Sequence, residues 1–159
     1  MERVRRIMLI TVLLAISLIS PAADKVPVYS VYEVTFRGLK YAAAENPVRD
    51  ILLVTSWQNE STREVIKVYG YYDGDGRGGI SGNIFRVRFC PVSEGNWMLT
   101  SVISNDRILN RQNEGMQVTA EASVRHGFWI PDQSSPGSRW YRRSDGTHQY
   151  ITGNTMYSF

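Results

Sequence analysis

The sequence predicts an all-β sandwich, and three observations carry that expectation. Six apolar runs in the 159-residue chain alternate with polar residues at period two, at a spacing of about 8–12 residues. Clusters of Gly, Pro, Asn, Asp and Ser punctuate them. No window repeats its apolar residues at the helical period. A strand that buries only one face needs a facing sheet, which makes a sandwich the first expectation and a small barrel the alternative.

The runs follow in order. In Val28–Phe36 the residues Val28, Tyr32, Val34 and Phe36 share a face, opposite Glu33, Thr35 and Arg37, and Gly38 closes the run. After a loop with Asn46-Pro47, Asp50–Trp57 is rich in β-branched and large apolar residues. Asn59–Thr62 is a polar turn, and Val65–Tyr72 is the next strand. A tip dense in Gly and Asp leads to Asn83–Phe89, where Phe85, Val87 and Phe89 alternate with Arg86 and Arg88. Pro91, Ser93 and Gly95 turn the chain into Asn96–Val102, with Trp97, Leu99 and Ser101 on one face. Ser104–Gly115 has no periodicity and reads as a long polar connection. Val118–Val124 puts Val118, Ala120, Ala122 and Val124 inward. Beyond Gly127, a Pro- and Ser-rich stretch leads to two short pieces, Arg139–Arg142 and His148–Thr152. These flank Ser144-Asp145-Gly146, a hairpin-turn signal.

The first 22 residues stand apart. Arg3, Arg5 and Arg6 precede an apolar run from Ile7 to Ile19, and Ser20-Pro21-Ala22 supplies small residues for cleavage after Ala22 or Ala23. This is the pattern of a secretory signal peptide, and the run is short of the roughly 20 residues a membrane-spanning helix needs. The expectation is a secreted or periplasmic protein with no membrane association after cleavage. Of 18 Lys+Arg and 15 Asp+Glu, three arginines and one glutamate fall in this segment, leaving 15 against 14 and a net charge of +1. No basic run remains to attract nucleic acid, so that partner is not expected. Cys90 is the lone cysteine, which excludes an internal disulfide, and His126 and His148 show no metal-ligand spacing. Neither a metal nor a cofactor is expected.

The order of an Asn-Pro loop, YGYYDGDG, FRVRFCPVSEGNW, SND, a Gly-led strand and HGF resembles the bacterial domain-of-unknown-function 5060 family, over about Val31 to Phe128. The resemblance implies an immunoglobulin-like antiparallel β-sandwich, placed N-terminal to a glycoside hydrolase barrel in secreted proteins of polysaccharide-degrading bacteria. The tail RWYRRSDGTHQYITGNTMYSF resembles the opening hairpin and first barrel strand of the apiosidase-like, domain-of-unknown-function 4038 type of glycoside hydrolase, through Asp145-Gly146-Thr147 and Gly153-Asn154-Thr155. The organisation expected is therefore a signal peptide (1–22), a sandwich (26–127), a linker (128–138) and the truncated start of a barrel (139–159), a β-hairpin remnant that reads as unfinished. A barrel takes about 250 residues, and the paired carboxylates of glycoside hydrolysis would lie on strands beyond Phe159. No catalytic residue can be carried over.

Candidate chemistry in the chain is weighed against plainer readings. Asp73 and Asp75 resemble the start of a calcium loop, but the fifth position is Arg77 and the twelfth is Ile84, so both are read as turn-formers. Tyr69, Tyr71 and Tyr72 beside the acidic tip, and Trp129 and Trp140 near the linker, are candidates to stack on a sugar ring. Tyr69 or Tyr71, and above all Trp97 on its alternating strand, read as core, and Trp129 and Trp140 as packing at a junction with the barrel. Asp145 with His148 could supply half of a catalytic triad, yet no serine stands in a nucleophile-elbow context. Glu94 reads as a solvated turn residue. Asn154, at the end of a barrel strand, would face an active site. The carbohydrate-binding set is thus Tyr71, Asp73, Asp75, Trp140 and Asn154. The function expected is a non-catalytic accessory domain whose partner is a downstream catalytic barrel; the alternative is a stand-alone carbohydrate-binding or adhesion module. Residues after about Gly127 are expected to be poorly held.

Overall fold

The structure, a computed structural model, describes residues 23–134, 137 and 139–149. Ten strands carry nearly all of the regular structure: β1 (Asp24–Pro27), β2 (Tyr32–Tyr41), β3 (Leu53–Asn59), β4 (Val65–Tyr69), β5 (Tyr71–Tyr72), β6 (Gly82–Phe89), β7 (Gly95–Ser104), β8 (Gln117–Glu121), β9 (Trp129–Pro131) and β10 (Tyr141–Arg143). One four-residue helical turn, α1 (Pro47–Asp50), starts on the proline whose fixed φ suits that position. Two sheets, β1-β8-β7-β3-β4 and β2-β6-β5, face each other, and β9 with β10 makes a separate antiparallel pair. This is an immunoglobulin-like sandwich: β2-β6-β5 corresponds to its B-E-D sheet and β3-β7-β8 to its C-F-G sheet. All pairings are antiparallel except β1 with β8.

The core lies between the sheets and is built on aromatic side chains. Trp57 on β3 stacks on Phe89 of β6 at 4.4 Å between centroids and 8° between planes, and Trp97 of β7 packs at 5.3 Å from Phe89. All three are fully buried. With no disulfide available, this ring cluster takes over the central packing role, each ring burying about 150–250 Å². The indole N–H groups are satisfied locally, Trp57 donating to Thr55 Oγ1 (3.2 Å) and Trp97 to the Ser93 carbonyl (3.0 Å).

Several strands depart from simple alternation, each for a local reason. Within the run Val28–Phe36 only Tyr32–Phe36 is strand; residues 28–31 turn the chain, Tyr29 at a positive φ of 61°, from β1, which ends at Pro27, to β2 in the other sheet. β2 continues past Gly38 to Tyr41; a Cβ at Gly38 would lie 2.5 Å from Asp106 Oδ2, so this glycine is a close-approach position rather than a stop. Val65–Tyr72 is likewise split at Gly70, where the chain leaves β4 for β5 in the opposite sheet. In β7 the register with β3 slips by one residue, Ser56 facing Ser101 but Trp57 facing Leu99. Thr100 is the extra residue, and the bulge inverts the phase after it. Trp97 and Leu99 point inward as expected, but Val102 replaces Ser101 as the next buried position. β8 ends at Glu121, which leaves Ala122 exposed and Val124 95% exposed rather than inward. Ile130 and Arg142 pair across β9 and β10, so the stretch expected as linker contributes a strand, and β10 pairs with it. Residues 1–22, expected as a signal peptide, and most of the piece His148–Thr152 lie outside the described residues.

Candidate functional site

The outer face of the β2-β6-β5 sheet carries a dense polar cluster that follows from register alone. Glu33 lies opposite Arg88, while Thr35 and Tyr71 flank Arg86 on its two sides. Glu33 accepts from Arg88 Nε (2.8 Å), from the Tyr71 hydroxyl (3.2 Å) and from Arg86 Nη1. Arg86 Nε donates to Asp73 Oδ2, and the Arg88 guanidinium sits 5.1 Å from the Tyr71 ring centroid. Arg88 above all, then Arg86 and Tyr71, hold the Glu33 carboxyl below its ordinary value. A carboxylate held ionised by such partners is a poor general acid at neutral pH, so this face is suited to binding rather than proton transfer.

The tip between β5 and β6 stands beside this cluster. Gly74, Gly76 and Gly78 all have positive φ, and Asp75 Oδ1 accepts from the Arg77 N–H (2.8 Å) and the Gly79 N–H (2.9 Å). These two bonds hold the Asp75 carboxyl below its ordinary value. Asp75 is therefore committed to the turn, as the spacing suggested, and Asp73 to Arg86. Among the described residues no group of three or more His, Cys, Asp or Glu is placed to hold a metal ion. A cleft of about 410 Å³ separates the tip from β2, lined chiefly by Arg37, Asp75, Arg77, Ile84 and Arg86.

The structure joins Tyr71 and Asp73 through Glu33 and Arg86, with Asp75 next to them on the tip. Neither Tyr69 nor Tyr71 is core, contrary to the expectation for one of them: Tyr69 is 70% and Tyr71 36% exposed, because both point to the outer faces of their sheets, and Arg88 covers part of the Tyr71 ring. Trp140 belongs to the C-terminal hairpin, where it is 77% exposed and its carbonyl accepts from the Asp132 N–H (2.9 Å). Asn154 lies outside the described residues. Glu33, Arg86 and Arg88 are not legible as a cluster from sequence, although their outward alternation on two antiparallel strands is visible there.

The hairpin has its own polar anchors. Asp132, 8% exposed, receives His148 Nε2 at 2.9 Å and the Ser134 N–H at 3.0 Å. His126 Nδ1 lies 2.8 Å from Asp145 Oδ2, and the Arg143 guanidinium stacks 4.0 Å from the Trp129 centroid. Asp145 caps its turn through the Thr147 N–H (2.9 Å), which accounts for its conjunction with Gly146 without catalysis. His148 pairs with Asp132, not with Asp145.

Comparison with known proteins decides the family. Residues 25–104, just over half of the 159 residues, match the family described as Domain of unknown function (DUF5060). The chain belongs to the DUF5060 family. Among solved structures, this DUF5060 chain is similar to a protein from Bacteroides vulgatus ATCC 8482 described as a "putative glycoside hydrolase". The two share 25% identity and a TM-score of 0.62 over 85% of this chain. The DUF5060 chain spans only 23% of that protein's length. No curated protein matches it. The similarity supports association of this DUF5060 domain with glycoside hydrolases. The motifs that mark the family have structural duties here: in EGNW, Gly95 leaves room for Asn59, whose amide donates to the Glu94 carbonyl (3.0 Å), and Trp97 enters the core.

Proposed function

We propose that this chain is an exported, non-catalytic accessory domain of a carbohydrate-active enzyme, which packs beside a catalytic barrel and shapes one side of its substrate cleft. The observation that carries the reading is the match of 85% of this chain to under a quarter of a much longer protein described as a "putative glycoside hydrolase". The chemistry of the described residues is in keeping with it: Glu33 and Asp73 are tied into ion pairs with Arg86 and Arg88, and Asp75 and Asp145 into turns. The barrel partner, export through the leading apolar segment and any polysaccharide ligand belong to this proposal.

Two measurements on the purified chain test it. Assayed on a panel of aryl glycosides and polysaccharides, the chain is expected to show no turnover; reproducible hydrolysis would overturn the non-catalytic reading. Mixed with a separately expressed barrel from a DUF5060-bearing glycoside hydrolase, it is expected to co-elute on size exclusion and raise the barrel's melting temperature. Independent elution of the two would sink the packing role.

A further inference from the structure

The geometry points to the cleft between the glycine-rich tip and β2 as a binding site for the carboxylate of an acidic sugar unit, held between Arg37 and Arg77. This assignment rests on the carbohydrate association proposed above and goes further by naming the ligand class and the surface. Three guanidinium groups line the cleft (Arg37, Arg77 and Arg86) against a single carboxylate, Asp75. Arg86 is already engaged by Glu33 and Asp73. Among the described residues, the side chains of Arg37 and Arg77 have no ion-pair partner. In a chain body whose net charge is only +1, that local excess is concentrated at one place.

The cleft has fixed walls. Ile84 lies on the outward-facing side of β6, directly across from Arg37, yet is only 6% exposed because the tip folds over it. The Gln112 side chain accepts from the Arg37 N–H (2.8 Å) and donates to the Arg37 carbonyl (3.1 Å), so it seals the edge of β2 at that residue. On the other side, the Asp75 turn bonds fix the backbone from which Arg77 projects. Two guanidinium forks on pre-set backbones suit a planar carboxylate, which takes paired N–H donors from arginine. Neutral sugars offer the two guanidinium groups no anionic partner.

Affinity gel electrophoresis of the purified chain against polygalacturonate, neutral xylan, dextran sulfate and single-stranded DNA tests this. Retardation by polygalacturonate is expected, with Arg37→Ala/Arg77→Ala weakening it at least about tenfold, the scale of one lost charged contact. Arg49→Ala, which removes an arginine paired with Asp50, is expected to change nothing. Arg37→Lys/Arg77→Lys is expected to fall between, since the charges stay and the forks go. Thermal melts identify any variant that fails to fold, and the lysine pair then carries the test. Undiminished polygalacturonate binding by the folded alanine pair would overturn the site. So would absence of retardation, or stronger binding to dextran sulfate or DNA, which would mark generic polyanion attraction. Retardation by xylan alone would defeat the acidic-sugar assignment and leave the accessory role standing, whereas failure of barrel association would strike the role and not the cleft.

Discussion

At the scale of single residues, Asp106 is the clearest case of a polar side chain used as a structural bolt. It is 2% exposed in the connection that follows β7. One carboxylate oxygen accepts from the Leu39 N–H (2.7 Å) and the Tyr41 hydroxyl (3.1 Å), and the other from the Ile108 N–H (2.9 Å). Burial, and then the bond to Asp106, push the Tyr41 hydroxyl up to about 12. The polar run 104–115 therefore clamps the edge of β2, which the lack of periodicity could not reveal. Asp106→Ala strands three part-buried donors, and a lost bond of this kind costs about 1 kcal/mol or more. Urea denaturation should show a loss of about 3 kcal/mol in unfolding free energy, and an unchanged midpoint would remove Asp106 from this role.

At the scale of elements, the β5–β6 tip shows why glycine recurs. A Cβ at Gly74 would sit 1.7 Å from the Gly79 carbonyl oxygen, whereas one at Gly78 would meet nothing within 4 Å. Both residues have positive φ, 58° and 98°. Gly78→Ala should thus cost only the left-handed backbone strain, about 1–2 kcal/mol. Gly74→Ala adds a backbone clash and should lower the melting temperature distinctly more. Equal melting points for the two would show that the tip rearranges freely and could not hold Arg77 in place.

At the scale of the whole molecule, the question is how the C-terminal hairpin is held to the sandwich. Tyr29 meets the Phe128 ring edge-on at 5.9 Å, and the Arg143 guanidinium donates to the Gly127 carbonyl (3.0 Å). Two aspartates anchor the hairpin. His148 chiefly holds the Asp132 carboxyl down from 3.8 to about 2, and the Thr147 N–H chiefly does the same for Asp145, with His126 adding to it. A carboxyl whose pKa is lower folded than unfolded adds stability that is fully present above its unfolded value and lost as pH falls through its folded value. The hairpin should therefore loosen between about pH 4 and pH 2, with proteolysis after Gly127 accelerating ahead of sandwich unfolding. A cleavage rate flat across that window would show that the carboxylates do not hold it.

Alternation by itself determined the all-β class, the inward residues of β6 and the first half of β7, while the Gly and Asp spacing determined that the aspartate tip is a turn. The sequence motifs also carried the family. These are local properties, because side-chain period and turn chemistry act over a few residues. Where the chain changes sheets at Tyr29 or Gly70, where Thr100 bulges, and where β8 stops were decided by tertiary packing, since each depends on a partner strand far along the chain. The same holds for the candidate site. Arg37 and Arg77 are forty residues apart in sequence, and only the β2–β6 register and the folded tip bring their charges to one cleft.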